Sequence, residues 1–312
     1  MGRWTALVVA GVCVLAAVGI ADALRGGGGA GVSSGPAQRA VETSAETEPR
    51  SVSERLASRE IRGLLYAAVR AGASCRVVVI ALPTLSRSSL AEPASCRIRV
   101  SPTGRIAGGE PCAGPRSRFA SQTGVGIRRL DGCAPAWRPD GRLTFVSRSG
   151  DVVELQEPCA SVRPCLRVVV PRREIPSPPR DLAWLDADRL AVLVGGRFAL
   201  DRSLAVFENG RLVSNPPPCC PVREYLRAVE DTLLLPSRDA PGAVLGFDDG
   251  GRLSLRPALP PFLADGLAFT GSPDGRWIAS TLRGSVQIYS LEDERPIDPI
   301  SLDLRAVDLG WS

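Results

Sequence analysis

From about residue 60 onward the chain alternates short apolar runs with polar breaks rich in Gly, Pro and Asp. In PAWRPDGRLTFVS, Ala136 and Trp137 end one apolar run and Leu143 and Phe145 lie in the next. Pro139-Asp140-Gly141 between them is a tight turn: Pro presets φ, Asp bonds its own backbone and Gly takes a positive φ. The segment predicts a β-hairpin. An echo, AFTGSPDGRWIAST, repeats the turn at Pro273-Asp274-Gly275. Ala183 to Leu190 matches Ala136 to Leu143 at Ala, Trp, Arg and Leu, and Val100 to Ile106 is a degenerate copy. Leu226 to Leu233 is weaker, and Asp308-Leu309-Gly310-Trp311 mirrors Asp181-Leu182-Ala183-Trp184 at the chain end.

Between the copies the pattern predicts further strand pairs. These are Val152–Leu155 with Leu166–Val170, Leu204–Glu208 with Gly210–Val213, and Val286–Leu291 with Ile300–Leu304. Asn209-Gly210 is a type I′ hairpin signal. Copies recur about every 40 residues, the period of a four-stranded propeller blade.

These residues resemble the WD40-like, TolB-type (PD40) propeller repeat: an aromatic, then Ser-Pro-Asp-Gly and a basic residue, then an apolar strand. The resemblance covers roughly residues 60 to 312 and implies an all-β, six-bladed β-propeller. No counterpart of the additional N-terminal α/β domain of full-length TolB-type proteins is present, so that family's partner contacts do not transfer. The chain stops at Trp311-Ser312, after only the first strand of a sixth copy. Residues 63–69 and 76–82 can supply its missing strands, giving a split closing blade. The alternative is five blades and an N-terminal helix, because Ile61, Leu64, Leu65 and Ala68 also fit a helical period across residues 53–70.

The N-terminus follows different rules. Residues 4–24, WTALVVAGVCVLAAVGIADAL, are apolar and long enough to span a bilayer as a helix. Arg3 before them favours a cytoplasmic N-terminus, and Ala21-Asp22-Ala23 also fits a signal-peptidase site. We therefore expect an anchor over 1–25, a flexible linker over 26–55 and a propeller over 56–312 outside the cytoplasm, or secretion after cleavage. The linker expectation rests on Gly, Ser, Thr and Glu without apolar periodicity.

Composition narrows the chemistry. The net charge is +5, all 38 basic residues are Arg, and histidine is absent. Lacking histidine, the chain has no Ser-His-Asp or Cys-His catalysis and no imidazole metal ligand. The arginines are interspersed with acids and apolar residues, so no nucleic-acid surface is expected. Outside residues 4–24 lie Cys75, Cys96, Cys112, Cys133, Cys159, Cys165, Cys219 and Cys220. An even count in an exported chain points to disulfides, and the repeat pairs Cys75 with Cys96, Cys112 with Cys133 and Cys159 with Cys165. Cys219 and Cys220 form a vicinal pair or bridge elsewhere. No metal site and no cofactor are expected.

Asp140, Asp188 and Asp274 are turn residues, and Glu154, Glu208, Glu224, Glu230 and Asp265 are the carboxylates left for a channel chemistry. No nucleophile elbow or phosphate loop is present. The expected function is a membrane-anchored, non-catalytic binding or scaffolding module for an envelope protein, peptide or glycan. The competing expectation is a carboxylate-dependent hydrolase or lyase acting on sugars or lactones, which needs three acids converging in the channel. An apolar or Arg-lined rim without such a cluster favours binding.

Overall fold

The computed structural model describes residues 51–312 except 73, 91–94, 110, 113–116, 124–125, 159–163, 197–201, 216–225, 230–231, 235–243, 248–252, 257–267, 283 and 291–299. The expected anchor lies outside the described residues, as do Cys159, Cys219, Cys220, Glu224, Glu230 and Asp265. No helix among the described residues is long and apolar enough to cross a membrane.

The first element is helix α1 (Val52–Ser58). Ser51 accepts from the Glu54 amide at 3.2 Å, and Glu54 accepts from the Ser51 amide at 2.7 Å. This reciprocal capping box makes so short a helix tenable. The helix overlaps the end of the stretch expected to be linker, because one apolar side chain per turn suffices to dock it: Leu56 is fully buried, followed by Ile61.

Strands follow in chain order: β1 (Gly63–Ala71), β2 (Ser74–Leu82), β3 (Ser86–Leu90), β4 (Ile98–Val100), β5 (Ile106–Gly108), β6 (Arg118–Thr123), β7 (Gly126–Trp137), β8 (Leu143–Ser147), β9 (Val152–Leu155) and β10 (Leu166–Val170). Then come β11 (Pro179–Trp184), β12 (Arg189–Gly195), β13 (Arg202–Glu208), β14 (Arg211–Ser214), β15 (Arg227–Val229), β16 (Thr232–Leu234), β17 (Val244–Phe247) and β18 (Leu253–Arg256). The last are β19 (Phe269–Gly271), β20 (Trp277–Leu282), β21 (Ser285–Ser290), β22 (Ile300–Leu302) and β23 (Ala306–Trp311). The helical alternative for residues 53–70 fails beyond α1, because Leu65, Tyr66, Ala67 and Ala68 are buried consecutively, as in a strand covered on both faces.

All pairings are antiparallel meanders. The orders are β11-β12-β13-β14, β15-β16-β17-β18 and β19-β20-β21-β22, with β23-β1-β2-β3 uniting the two chain ends. A seven-stranded sheet runs from β4 to β10 because β7 serves twice. Its first half pairs with β6 and its second half with β8. The crossing point is Gly132, where an added Cβ would lie 2.5 Å from the Val146 carbonyl oxygen. Each meander contributes one first strand to the centre, and these touch in the closed order β23, β4, β7, β11, β15, β19 and back to β23. Meanders arranged radially around a closed cycle of first strands form a β-propeller.

Closure joins the ends directly. Leu64 and Ser312 exchange backbone hydrogen bonds of 2.7 and 3.0 Å, and Trp311 Nε1 donates to the Arg62 carbonyl at 3.0 Å. Gly63 sits at φ 108°, and a Cβ there would meet the Ser312 carbonyl oxygen at 2.5 Å. Leu56, Ile61, Leu65, Leu309 and Trp311 share one core. Pairing the ends removes two exposed sheet edges.

Disulfides brace the same region. Cys75 on β2 bonds Cys96 just before β4, and Cys112 in the loop after β5 bonds Cys133 at the β7 crossing. Cys165 is also disulfide-bonded, with its partner outside the described residues.

Trp311→Ala should lower unfolding free energy by about 3–5 kcal/mol, because it empties a buried aromatic site. Replacing Cys75 and Cys96 together by Ser should cost about 3 kcal/mol by releasing a closed loop. Chemical denaturation of each variant checks both values.

Candidate functional site

The repeat turns set the rim of the propeller's centre. Gly104, Gly141 and Gly275 adopt φ values of 79°, 82° and 68°. Asp140 accepts from the Arg142 amide at 3.1 Å, and Asp274 from the Arg276 amide at 3.3 Å. These carboxylates are occupied in closing their turns. In the Ala183–Leu190 copy that role falls to Asp186 rather than Asp188. Asp186 Oδ1 accepts from the amides of Asp188 and Arg189 at 2.8 and 2.7 Å. Asp188 itself is exposed. Burial works to raise the Asp186 carboxyl, but those amides and the Arg189 guanidinium outweigh it and hold it below its ordinary value.

Holding the turns at the ends of the first strands brings their side chains together. A cavity of about 350 Å³ opens there, lined by residues from β4, β7, β11, β15, β19, β23 and the turns that follow. Its walls include Trp137, Trp184, Trp311, Pro102, Pro139 and Pro273, with Arg99 and Arg227 as the guanidinium groups that reach it. Each indole N–H is spent inside the protein. Trp137 donates to the Arg99 carbonyl at 2.9 Å and Trp184 to Thr144 Oγ1 at 2.8 Å, while Trp311 reaches Arg62 as above. The guanidinium of Arg105 lies 4.9 Å from the Trp137 ring centre, and that of Arg138 lies 5.0 Å from that of Trp184. These stacked cations hold the rings in place.

Two Arg–Asp pairs join the first strands around the cavity. Arg99 Nη2 donates to Asp181 Oδ2 at 2.6 Å and Arg99 Nε to the Pro135 carbonyl at 3.2 Å. Arg227 Nη2 donates to both oxygens of Asp308 at 2.7 and 2.8 Å, and Arg227 Nε to the Phe269 carbonyl at 3.2 Å. The pairs interlock. Asp181 accepts from the amide of Leu226, which precedes Arg227; Asp308 accepts from the amide of Ile98, which precedes Arg99. A circuit results: Asp308, Ile98-Arg99, Asp181, Leu226-Arg227 and back to Asp308. Both carboxyls are buried. Burial pushes both up, Asp308 to about 6, against the pull of Arg99 and of the amides bonded to them.

The remaining candidates lie elsewhere. Glu154 on β9 is fully buried and absent from the cavity lining. It accepts from Gln156 Nε2 at 2.7 Å and from Arg167 at 3.0 Å, with Arg138 and Arg142 at 3.5 and 3.6 Å. Glu208 ends β13 in solvent. Among the described residues no three acids converge, and no group of His, Cys, Asp or Glu could hold a metal ion. Sequence reading missed the Arg–Asp circuit. Its trace was present in Asp-Leu-x-Trp at 181 and 308 and in the apolar-Arg pairs Ile98-Arg99 and Leu226-Arg227.

No protein-family model and no curated protein matches this chain. Among solved structures it is similar to the β-propeller domain of Cps50 (Swd1) from Myceliophteria thermophila, at 12% identity and TM-score 0.49, over 76% of this chain and 85% of that one. It is also similar to a protein from Lactobacillus plantarum, at 12% identity and TM-score 0.48, over 80% of this chain and 99% of that one.

The raised Asp308 carboxyl fixes the sign of a pH effect. Its folded value of about 6 exceeds its ordinary 3.8. Its contribution to stability is therefore fully present below 3.8 and is lost as pH rises through about 6. Asp308→Asn should flatten that component of the stability–pH curve, read by denaturant midpoints at successive pH values. An unchanged slope between pH 4 and 6 would contradict the assignment.

Proposed function

We propose that this protein is a six-bladed propeller acting as a non-catalytic binding module outside the cytoplasm, tethered by residues 4–24. Six first strands in the closed cycle, with β7 closing one blade and opening the next, support that blade count. The disulfides support an oxidising compartment. The TolB-type repeat pattern agrees with this reading.

The observation that carries the binding role is the cavity itself. It is a concave site with aromatic and proline walls, and both its guanidinium groups are already paired with carboxylates. A glycosidase-like site needs one carboxylate poised to give a proton and another to take one or attack. Here each acid is clasped by an arginine and a backbone amide. Apolar walls with a few fixed polar groups suit recognition of a peptide or protein loop.

Capture from envelope extract, followed by affinity measurement on the identified partner, tests this reading. Trp137→Ala should weaken the captured interaction at least tenfold, since it removes one wall. Turnover of a glycoside or lactone by the wild-type chain, lost in Asp181→Asn, would replace binding with catalysis.

A further inference from the structure

The cycle of first strands relates each strand to the one three steps away: β4 to β15, β7 to β19, and β11 to β23. The Arg–Asp circuit obeys that relation, with Arg99 answering Arg227 and Asp181 answering Asp308. The walls obey it in part. Trp184 answers Trp311, each three residues beyond its aspartate. On the third pair of strands the relation breaks. Aligning Pro139-Asp140-Gly141-Arg142 with Pro273-Asp274-Gly275-Arg276 places Gly271 opposite Trp137. Both residues line the cavity. One side therefore carries an indole where the answering side carries a hydrogen atom, with Thr270 and Ser272 beside it.

Resting on the binding reading above, we infer that the gap at Gly271 is a subsite for a planar, uncharged aromatic side chain of a peptide ligand, an indole above all. The ring takes the place that Trp137 fills on the opposite side. It lies beside the Arg227 backbone as Trp137 lies beside that of Arg99, and meets the faces that Trp311 and Pro273 contribute. Two observations select this occupant. The first is volume: about 350 Å³ is near the lower end of ligand pockets, which run from about 300 Å³ upward, so it admits one large side chain and its backbone. The second is charge. Arg99 and Arg227 are each neutralised by an aspartate at 2.6 and 2.7 Å. An added cation or anion would enter the site without an unpaired counter-charge, at a desolvation cost that a neutral ring avoids. Arg99 can still direct a hydrogen bond to a ligand carbonyl through Nη1, since its bonds to Pro135 and Asp181 use Nε and Nη2.

The test uses the full chain in detergent and four soluble probes: N-acetyltryptophanamide, N-acetylleucinamide, tryptamine and indole-3-acetate. Binding is followed by the indole N–H signals of the protein in NMR titrations and by calorimetry. N-acetyltryptophanamide should saturate, at least tenfold tighter than the leucine amide and than either charged indole. Gly271→Trp should abolish its binding while leaving the thermal midpoint within a few degrees. Gly271→Val, smaller and suited to a strand, should weaken it at least fivefold and serves if the tryptophan variant does not fold. Absence of saturable binding by the neutral indole, equal binding of the leucine amide or a charged indole, or indifference to both substitutions overturns the subsite. If an envelope partner binds and Trp137→Ala weakens it, yet the indole amide neither binds nor competes, the subsite fails and the binding module stands. If no partner binds, the broader reading fails.

Discussion

Two arginines and two aspartates around the centre, all buried but the half-buried Arg99, determine how the sheets meet. Ion pairs in such a setting contribute little net stability, because desolvation offsets their attraction. What they supply is position. Each aspartate accepts from an arginine on one strand and from a backbone amide on another. Moving any first strand by one residue would leave a buried charge or amide without its partner, at a cost of about 1–3 kcal/mol or more. The circuit thus fixes register among strands that share no ladder, a task that apolar packing with its looser geometry performs poorly.

Closure and cavity follow from that constraint. Asp308 lies on the last strand, so the circuit is complete only when the chain end has seated against β1. The same strand delivers Trp311 to the cavity wall and to the core it shares with α1, β1 and β2. The latch that seals the sheet edges therefore also finishes the site, and a fraying end would open both. The charges that border the cavity are paired with one another. In the proposed binding module, recognition would fall to ring faces and to the uneven filling of answering positions.

The turns show how local chemistry can imitate a catalytic motif. Asp140 and Asp274 recur at fixed spacing near a central cavity, yet each carboxylate is consumed by the amide two residues on. At Asp186 the same geometry holds two amides and an arginine. Each of these carboxylates thus has a structural task in keeping its own hairpin closed.

The sequence by itself determined the hairpins and their order. Pro-Asp-Gly and Asn-Gly dictate turns through φ, and alternation between them dictates strands, so β7–β8, β11–β12, β13–β14 and β19–β20 were legible from short windows. The period and the incomplete last copy also foretold that residues 63–69 and 76–82 complete the final sheet. Tertiary structure decided the rest. Helix α1 lies in the 53–70 stretch whose apolar spacing also allowed a helix, but that it stops at Ser58 and gives way to β1 was decided by the docking of Leu56 and by strand pairing. Which aspartate closes the third turn depended on backbone direction rather than on alignment. The Arg–Asp circuit joins residues from 45 to 210 positions apart, and no local pattern can reveal a partner that only ring closure brings within hydrogen-bonding distance.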